Sequence, residues 1–557
     1  MQQPTTDSTS AGPLRAIHDV AAASGILPEE FRAFGPSRGK VSLLTLKRLA
    51  GQPDGKLVIV TAITPTKAGE GKTTTSVALG QGLGYIGKDV MLCLRQPSMG
   101  PVFGIKGGGT GGGRAQLVPM EEINLHLNGD FHAIAAAHNL LSAAIDASLF
   151  HGNALGIDPA TITWPRTIDM NDRQLRYLTT GLGGKTHGVP HAGQFVITAA
   201  SEVMAVLALA SDLHDLRRRL GRIVVASDTA GEPVTADHLR VAGAMTVIMK
   251  HAIEPNLVQT MEGQPALVHA GPFGNIAHGA NSIVADRIAL KLADYVVTEA
   301  GFASDLGFQK FCDIVCPTAG IEPSAAVLVT TVRATKSHGG VAFELLSVEN
   351  PDAIRRGAEN LVAHLAIVRQ YGLPCVVTIN QFPSDTVQEL ELIKTLALSA
   401  GATTVVVHDG FSRGGEGAAD LAEAVVAACD QPRNFMPLSL ADTPIAEQIE
   451  RIATRLYGAS GITLEPAAID GLARAERLGL GTAPVCMAKT HLSLSHDPAL
   501  RNRPTGFVLP VRDLVASVGA GFVVALCGDM QRMPGLGRAP AFMAIDIDEN
   551  GNTVGLT

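Results

Sequence analysis

The sequence predicts an α/β fold built on a largely parallel sheet. Three observations predict it. Short Val/Ile-rich runs alternate with longer Ala/Leu-rich stretches, the runs are apolar at consecutive positions rather than at every second one, and glycines gather in local clusters between them. A strand that is apolar on both faces must be covered on both, and helices lying on the two sides of a parallel sheet supply that cover.

In chain order the strand candidates are KLVIVTAIT (56–64), DVMLCL (89–94), RIVVAS (222–227), ADYVVTEAG (293–301), AAVLVTTV (325–332), PCVVTIN (374–380), TTVVVHDG (403–410) and GFVVALCGD (521–529). At 557 residues the chain exceeds what one hydrophobic core holds, so two or three domains are expected. A break is expected after Gly340, where the polar stretch SVENPDAIRRGAEN precedes a new strand–helix alternation; we divide the chain at 1–360 and 361–557. The glycine clusters at 107–113, 181–184 and 414–417 are too local for a repeat or low-complexity segment, and are expected to be loops lying close to a ligand.

Apolar residues make up 46% of the chain but aromatics only 4%, so the core must be aliphatic and any aromatic in a polar loop stands out. The net charge of -8 gives no overall field for nucleic acid or an anionic membrane, and an anionic ligand must be caught locally. The seven cysteines lie mostly inside apolar runs, which suits buried thiols in a reducing compartment; Cys312 and Cys316 lack the further ligands a zinc site needs. The first twenty residues do not read as a secretion signal, and no run approaches ~18 uninterrupted apolar residues, so the expected location is the cytoplasm.

The segment Thr66-Lys67-Ala68-Gly69-Glu70-Gly71-Lys72-Thr73 sits between the strand Leu57–Thr64 and a helical stretch Thr73–Gly84. That is the setting of a phosphate loop. Gly69 and Gly71 let the backbone curl so that N–H groups and the helix N-terminus face the phosphates of ATP; Lys72 reaches the terminal oxygens and Thr73 holds Mg²⁺. Thr66 stands where the usual pattern begins with Gly. The domain is therefore expected to be P-loop NTPase-like. The strand 89–94 ends at Arg95, and in an open parallel sheet ligands bind beyond the carboxyl ends of the strands, so Arg95 can share the crevice and grip a carboxylate or phosphate; from position alone it can equally be a surface Arg paired with an acid.

The run LRQPSMGPVFGIKGGGTGGGRAQLVPMEEINLHLNGDFHAI, with TPTKAGEGKTTT before it, resembles the formate–tetrahydrofolate ligase family, also called formyltetrahydrofolate synthetase. Further matching strings are ITWPRTIDMNDRQLR, PNLVQTMEGQPALVHAGPFGNIAHGANS, ADYVVTEAGFASDLGFQKF and CMAKTHLSLSHDPALRNRPTGF, in order from about residue 40 to the C-terminus. The resemblance implies that formate takes the γ-phosphoryl group of MgATP to form formyl phosphate, and that the N10 amine of tetrahydrofolate then attacks the formyl carbon. Formate and the phosphoryl group are both negative, so cations must lie between them. Lys72, Mg²⁺ and Arg95 are the candidates. His126, Asp130 and His269 also match active-region strings; a neutral His could accept the amine proton, or these imidazoles could be buried and orient loops. A metal cluster of His126, Asp130 and His132 is disfavoured, because offsets of four and six do not share a helix face.

Phe382 and Phe411 follow two predicted strands in polar loops and resemble the family's pterin-stacking pair, so 361–557 is expected to contribute to the folate site, and 1–360 to carry an inserted substrate-binding segment. The resemblance also implies a homotetramer and an activating monovalent cation, K⁺ or NH₄⁺. Some positions depart from the family pattern: Gln96 replaces a Glu associated with that cation, KGGGTGGGR puts Thr110 and Arg114 beside the reaction site, Phe411 replaces a Trp, and Lys67 replaces a Pro. These departures leave two rival readings, a diverged sensor or scaffold that binds folate or ATP, and a partition-type P-loop ATPase. The second explains the loop alone.

Overall fold

The computed structural model describes residues 14–104, 107–438 and 442–556. Its large sheet contains ten strands in an unbroken row: β1 (Phe31–Ala33), β2 (Gly39–Val41), β3 (Lys56–Ala62), β4 (Val90–Leu94), β5 (Asn256–Thr260), β6 (Pro265–Val268), β7 (Tyr295–Glu299), β8 (Pro323–Thr330), β9 (Cys375–Asn380) and β10 (Thr404–His408). They lie in the order β1-β2-β5-β6-β4-β7-β3-β8-β9-β10. From β6 to β10 every neighbouring pair is parallel; β1, β2, β5 and β6 pair antiparallel. A short hairpin, Gly111–Gly112 with Ala115–Val118, joins the sheet through β5.

The helices that matter to the site are α1 (Lys72–Tyr85), α2 (Asp130–Phe150), α3 (Ile283–Leu292), α4 (Pro351–Gln370) and α5 (Ala419–Cys429). The consecutive apolar residues of the strands divide between two cores because successive side chains point to opposite faces. Val58, Val60 and Ala62 of β3 pack with Val77 and Leu83 of α1 and Leu421 and Val425 of α5. Leu57 and Ile59 pack on the other side with Ile288 of α3 and Leu361 of α4. Two-sided cover is what the runs require.

Six of the eight expected strands lie in this sheet. RIVVAS instead pairs with Pro233–Thr235 in a two-stranded sheet, and GFVVALCGD is the middle strand of a three-stranded sheet with Val485–Ala488 and Asp513–Ser517. Residue 360 lies inside α4, and β9 and β10 continue the sheet beyond it, so the expected division does not fall at a sheet edge. One helix among the described residues, α2, is long and apolar enough to cross a membrane. Its Ile134, Ala137, Leu141 and Ile145 are packed in the core. The expectation drawn from the first twenty residues rests largely on positions outside those described.

Candidate active site

The carboxyl ends of β3, β4, β7, β8, β9 and β10 open on one edge of the sheet, and the loops leaving them carry most of the residues singled out from sequence. After β3 the chain turns through Thr66–Gly71 into α1. Gly69 and Gly71 have φ of +74° and +69°, the left-handed region that glycine enters without a Cβ penalty. Gly71 is also fixed by space: a Cβ there would stand 2.1 Å from Asn380 Nδ2, at the end of β9. Glu70 folds back across the turn, where its Oε1 accepts from the Thr66 backbone N–H at 2.7 Å and from the Thr66 hydroxyl at 3.0 Å. Thr66 thus serves as a clasp for the turn. Burial pushes the Glu70 carboxyl up to about 7, against those hydrogen bonds. Lys67 is exposed.

Lys72 and Thr73 open α1 and meet a residue that sequence reasoning passed over. Glu299 ends β7, on the same face as Tyr295 and Val297, the face that α1 covers. Its Oε2 accepts from the Thr73 hydroxyl at 3.0 Å and the Ser76 hydroxyl at 3.4 Å, and lies 3.5 Å from Lys72 Nζ. Its Oε1 lies 3.9 Å from Arg95 Nη2. The strand order explains this bridge: β7 is hydrogen-bonded to β3 on one side and β4 on the other, so its last residue falls between the loops that follow those two strands. Burial pushes the Glu299 carboxyl upward, but Lys72 and Arg95 outweigh it and hold the group below its ordinary range. Burial likewise draws Lys72 and Arg95 below theirs, with Glu299 opposing. The signal for Glu299 was present in the sequence as an acid at the carboxyl end of the strand run YVVT.

Arg95 is held on its other side by the Pro272 carbonyl, 3.3 Å from Nη1. A side chain on Gly301 would come within 3.1 Å of that nitrogen, so the guanidinium fills the space glycine leaves. Beside it Gln96 is buried, and neither its amide oxygen nor its amide nitrogen meets a partner among the described residues. The buried Thr110 hydroxyl likewise has no partner among the described residues. Lys106, in the same glycine-rich run, lies outside the described residues.

Phe382 and Phe411 follow β9 and β10, neighbours in the sheet. Arg333, just past β8, lies over the Phe382 ring with its guanidinium carbon 4.4 Å from the centroid, a cation–π contact that covers one ring face. Phe411 is half exposed. It rests on the hairpin: a Cβ on Gly112 would stand 3.3 Å from its ring, and one on Gly113 2.2 Å from its carbonyl oxygen, which accepts from the Arg114 N–H at 2.8 Å. The close approach made by Gly112 and Gly113 is therefore to Phe411. The Arg114 side chain is exposed. Gly181 belongs to a different place, a cavity of about 370 Å³ lined by Asp146, Phe150, Arg166, His187 and His191 at the far end of α2.

The three residues from the histidine-bearing strings separate. Asp130, at the first position of α2, forms a buried ion pair with Lys40 at 2.8 Å and accepts from Asn256 Nδ2 at 2.6 Å. His269 is fully buried; its Nε2 donates to the Ala252 carbonyl and its Nδ1 accepts from the Ser282 hydroxyl, both at 2.6 Å. A carbonyl can only accept, which fixes the tautomer and leaves no ring nitrogen for a substrate. Burial brings its pKa down to about 4. His126 is stacked on His132, with ring nitrogens 3.0 Å apart at the surface. Among the described residues no group of three His, Cys, Asp or Glu could hold a metal ion.

What the cluster can do chemically is hold anions together. Two cations and a helix N-terminus converge on one carboxylate and border a curled loop with its N–H groups at a strand end, an arrangement suited to a polyphosphate and a second small anion. Thr73 and Glu299 set a hydroxyl and a carboxylate oxygen side by side, the hard oxygen ligands Mg²⁺ prefers.

Comparison with known proteins agrees in extent. The family model described as formate–tetrahydrofolate ligase matches residues 6–557. Relatives bearing the name formate–tetrahydrofolate ligase include one from Roseiflexus sp. (strain RS-1), 53% identical over 559 residues, covering 99% of this chain and 99% of the relative. Another, from Saccharopolyspora erythraea, is 53% identical with the same coverage of both chains, and one from Desulforamulus reducens is 53% identical over 97% of each.

Proposed function

The chain belongs to the formate–tetrahydrofolate ligase family, and we propose that its chemistry runs through the Lys72–Glu299–Arg95 cluster. The reaction joins formate to tetrahydrofolate using ATP, and gives 10-formyltetrahydrofolate, ADP and phosphate. Formate is a poor electrophile because its carboxylate is anionic and delocalised; transfer of the γ-phosphoryl group turns one oxygen into a leaving group. The observation that carries the assignment is the meeting of Lys72 and Arg95 at Glu299. One cation belongs to the phosphate loop and the other lies beyond it, so two anions that repel each other can be held side by side with a phosphoryl group between them.

Lys72 would bind the terminal phosphate oxygens, and Arg95 the formate oxygens and then formyl phosphate. The Thr66–Thr73 backbone would cradle the remaining phosphates in a P-loop NTPase-like manner. Thr73 and Glu299 would hold Mg²⁺, which neutralises phosphate charge when bound. Phe382 offers its uncovered face, and Phe411 its exposed ring, to the pterin. His269 would act through its loop rather than as a base, which leaves His126, hydrogen-bonded to His132 at the surface, as the histidine we assign to accepting the amine proton. A monovalent cation fits less well: Gln96 offers a neutral amide oxygen, and no step is assigned to such an ion. The buried thiols suit the cytoplasm, and a homotetramer is the assembly we expect. Nothing in the site favours a sensor or scaffold, since Lys72, Thr73 and Arg95 are all in place.

The test incubates the pure protein with formate, MgATP and tetrahydrofolate, then acidifies to convert product to the absorbing methenyl derivative. Product should form only with all three substrates. Phosphate release that needs neither formate nor folate would refute the reading.

A further inference from the structure

The chain leaving β7 carries, shortly after Glu299, an aromatic ring on a backbone its residue type rarely adopts. Phe302 has a φ of +59°, in the left-handed region where a Cβ crowds the backbone. A glycine would meet that turn without strain, and the chain is sparing with aromatics, so the ring is what this position supplies. Its neighbours place it. Gly301, the residue before it, abuts the Arg95 guanidinium: a Cβ there would stand 3.1 Å from Nη1. The ring lies against Gly274, where a Cβ would stand 3.1 Å from its Cδ2, and Gly274 closely follows Pro272, whose carbonyl accepts from Arg95 Nη1 at 3.3 Å. Phe302 therefore stands beside Arg95, at the strand end that carries the Lys72–Glu299–Arg95 cluster.

The C-terminal part of the chain closes on the same ring. His491, in the loop after the strand Val485–Ala488, stacks on Phe302 with centroids 4.7 Å apart and planes at 24°. Both rings are half-buried. The two loops are locked together close by: the buried ammonium of Lys489 pairs with Asp305 Oδ2 at 2.6 Å and donates to the Ser493 carbonyl at 2.6 Å. Lys489 shortly precedes His491 and Asp305 shortly follows Phe302, so the ion pair fixes the stack from both chain segments. Such a pair has little freedom to part, because each charge would be left buried without a partner.

The chemistry assigned to Arg95 needs protection of this kind. Formyl phosphate is a mixed anhydride, and water can attack its formyl carbon as the folate amine does, returning formate and phosphate with ATP consumed and no product made. A fixed apolar face beside the intermediate lowers the access of water and leaves the bound amine as the nucleophile. We propose that Phe302, backed by His491, is a shielding residue that keeps water off formyl phosphate held at Arg95. This rests on the ligase reading and adds to it how the intermediate survives until the amine attacks. A benzyl side chain suits the task, since it covers area and has no group that could activate water.

The test counts phosphate and 10-formyltetrahydrofolate side by side for the full-length wild-type, Phe302→Ala, Phe302→Leu and His491→Ala enzymes. Wild type should release phosphate and product in equal amounts. Phe302→Ala should release phosphate in a reaction that needs formate but not tetrahydrofolate, about tenfold faster than wild type does without folate, and more phosphate than product when folate is present. Phe302→Leu, which keeps an apolar side chain, should restore most of the coupling, and His491→Ala should uncouple in the same sense. Hydroxylamine, a nucleophile small enough to enter an opened site, should be converted to formohydroxamate faster by Phe302→Ala than by wild type. A merely structural contact would lower both rates together. Equal phosphate and product in a folded Phe302→Ala enzyme overturns the proposal, as does a raised KM for tetrahydrofolate with coupling intact. If Phe302→Ala does not fold, the ratio of phosphate to product in His491→Ala decides: an excess of phosphate supports the proposal and equality overturns it. A wild-type protein that makes no product removes the ligase reading, and this inference with it; an active wild type whose variants stay coupled removes only the inference.

Discussion

Replacing Lys72 by Met nearly preserves the length of the side chain and deletes its charge, and the surroundings allow the outcome to be worked out. Lys72 Nζ is 3.5 Å from one oxygen of Glu299, and Arg95 Nη2 is 3.9 Å from the other. At an effective dielectric of about 20 these distances correspond to gross attractions of about 5 and about 4 kcal/mol. Because the two are close in size, Arg95 still neutralises Glu299 in Lys72→Met. The loss of fold stability should therefore stay near 1–3 kcal/mol, by estimate below the roughly 3–5 kcal/mol of a buried charge left with no partner. Catalysis has no such reserve, since Arg95 is assigned to the formate oxygens. Losing a preorganised charge at the transferring phosphoryl group costs about 3–4 kcal/mol, a fall in kcat of roughly 10²- to 10³-fold. Initial rates of methenyl formation at saturating substrates measure the catalytic loss, and urea unfolding measures the other. A Lys72→Met enzyme that folds and turns over within tenfold of wild type would refute the placement of Lys72 on the phosphoryl group.

Phe411→Ala should raise the KM for tetrahydrofolate about tenfold by removing a stacking face, and leave the KM for ATP within about twofold; equal movement of both would argue against pterin stacking. His269→Asn should lower unfolding free energy by about 1–3 kcal/mol through its two lost buried hydrogen bonds, with kcat within about threefold; a folded variant that loses most of its kcat would return His269 to the chemistry. Glu70 has a folded pKa of about 7 against an ordinary 4.5, so its proton favours the folded state. That contribution is complete below pH 4.5 and is lost as pH rises through 7. Glu70→Gln removes the titration, so from pH 5 to 8 the variant should gain on wild type by up to roughly 3 kcal/mol of unfolding free energy, and parallel pH profiles in urea titrations would contradict the raised pKa.

The expectations that held depend on information lying close together in sequence. Val58 and Ile59 being apolar side by side requires cover on both faces, whatever lies far away. Gly69, Gly71 and Lys72 follow a strand within a few residues, and the left-handed φ values of the two glycines are local necessities. Where local pattern was ambiguous it misdirected: RIVVAS and GFVVALCGD have the same apolar character as β3 but pair in small sheets, and β5 and β6 were missed because neither carries a long Val/Ile run. The strings shared with the ligase family, read from sequence, identified the reaction more directly than any strand pattern.

The sequence by itself determined that a glycine-curled turn leads from β3 into α1, that Arg95 follows a buried strand, and which family the chain joins. Only the tertiary structure decided which groups meet there. Glu299 stands between Lys72 and Arg95 because β7, more than 200 residues from β3 in the chain, is inserted between β3 and β4. Likewise His269 is spent on Ala252 and Ser282 while the buried His278 meets no hydrogen-bond partner among the described residues, although nine residues apart the two look alike in sequence. The physical reason is the same in both cases. Periodicity and propensity report the neighbours of a residue along the chain, whereas charge pairing and hydrogen-bond satisfaction are set by whichever distant segments the packed sheet brings within about 3–4 Å.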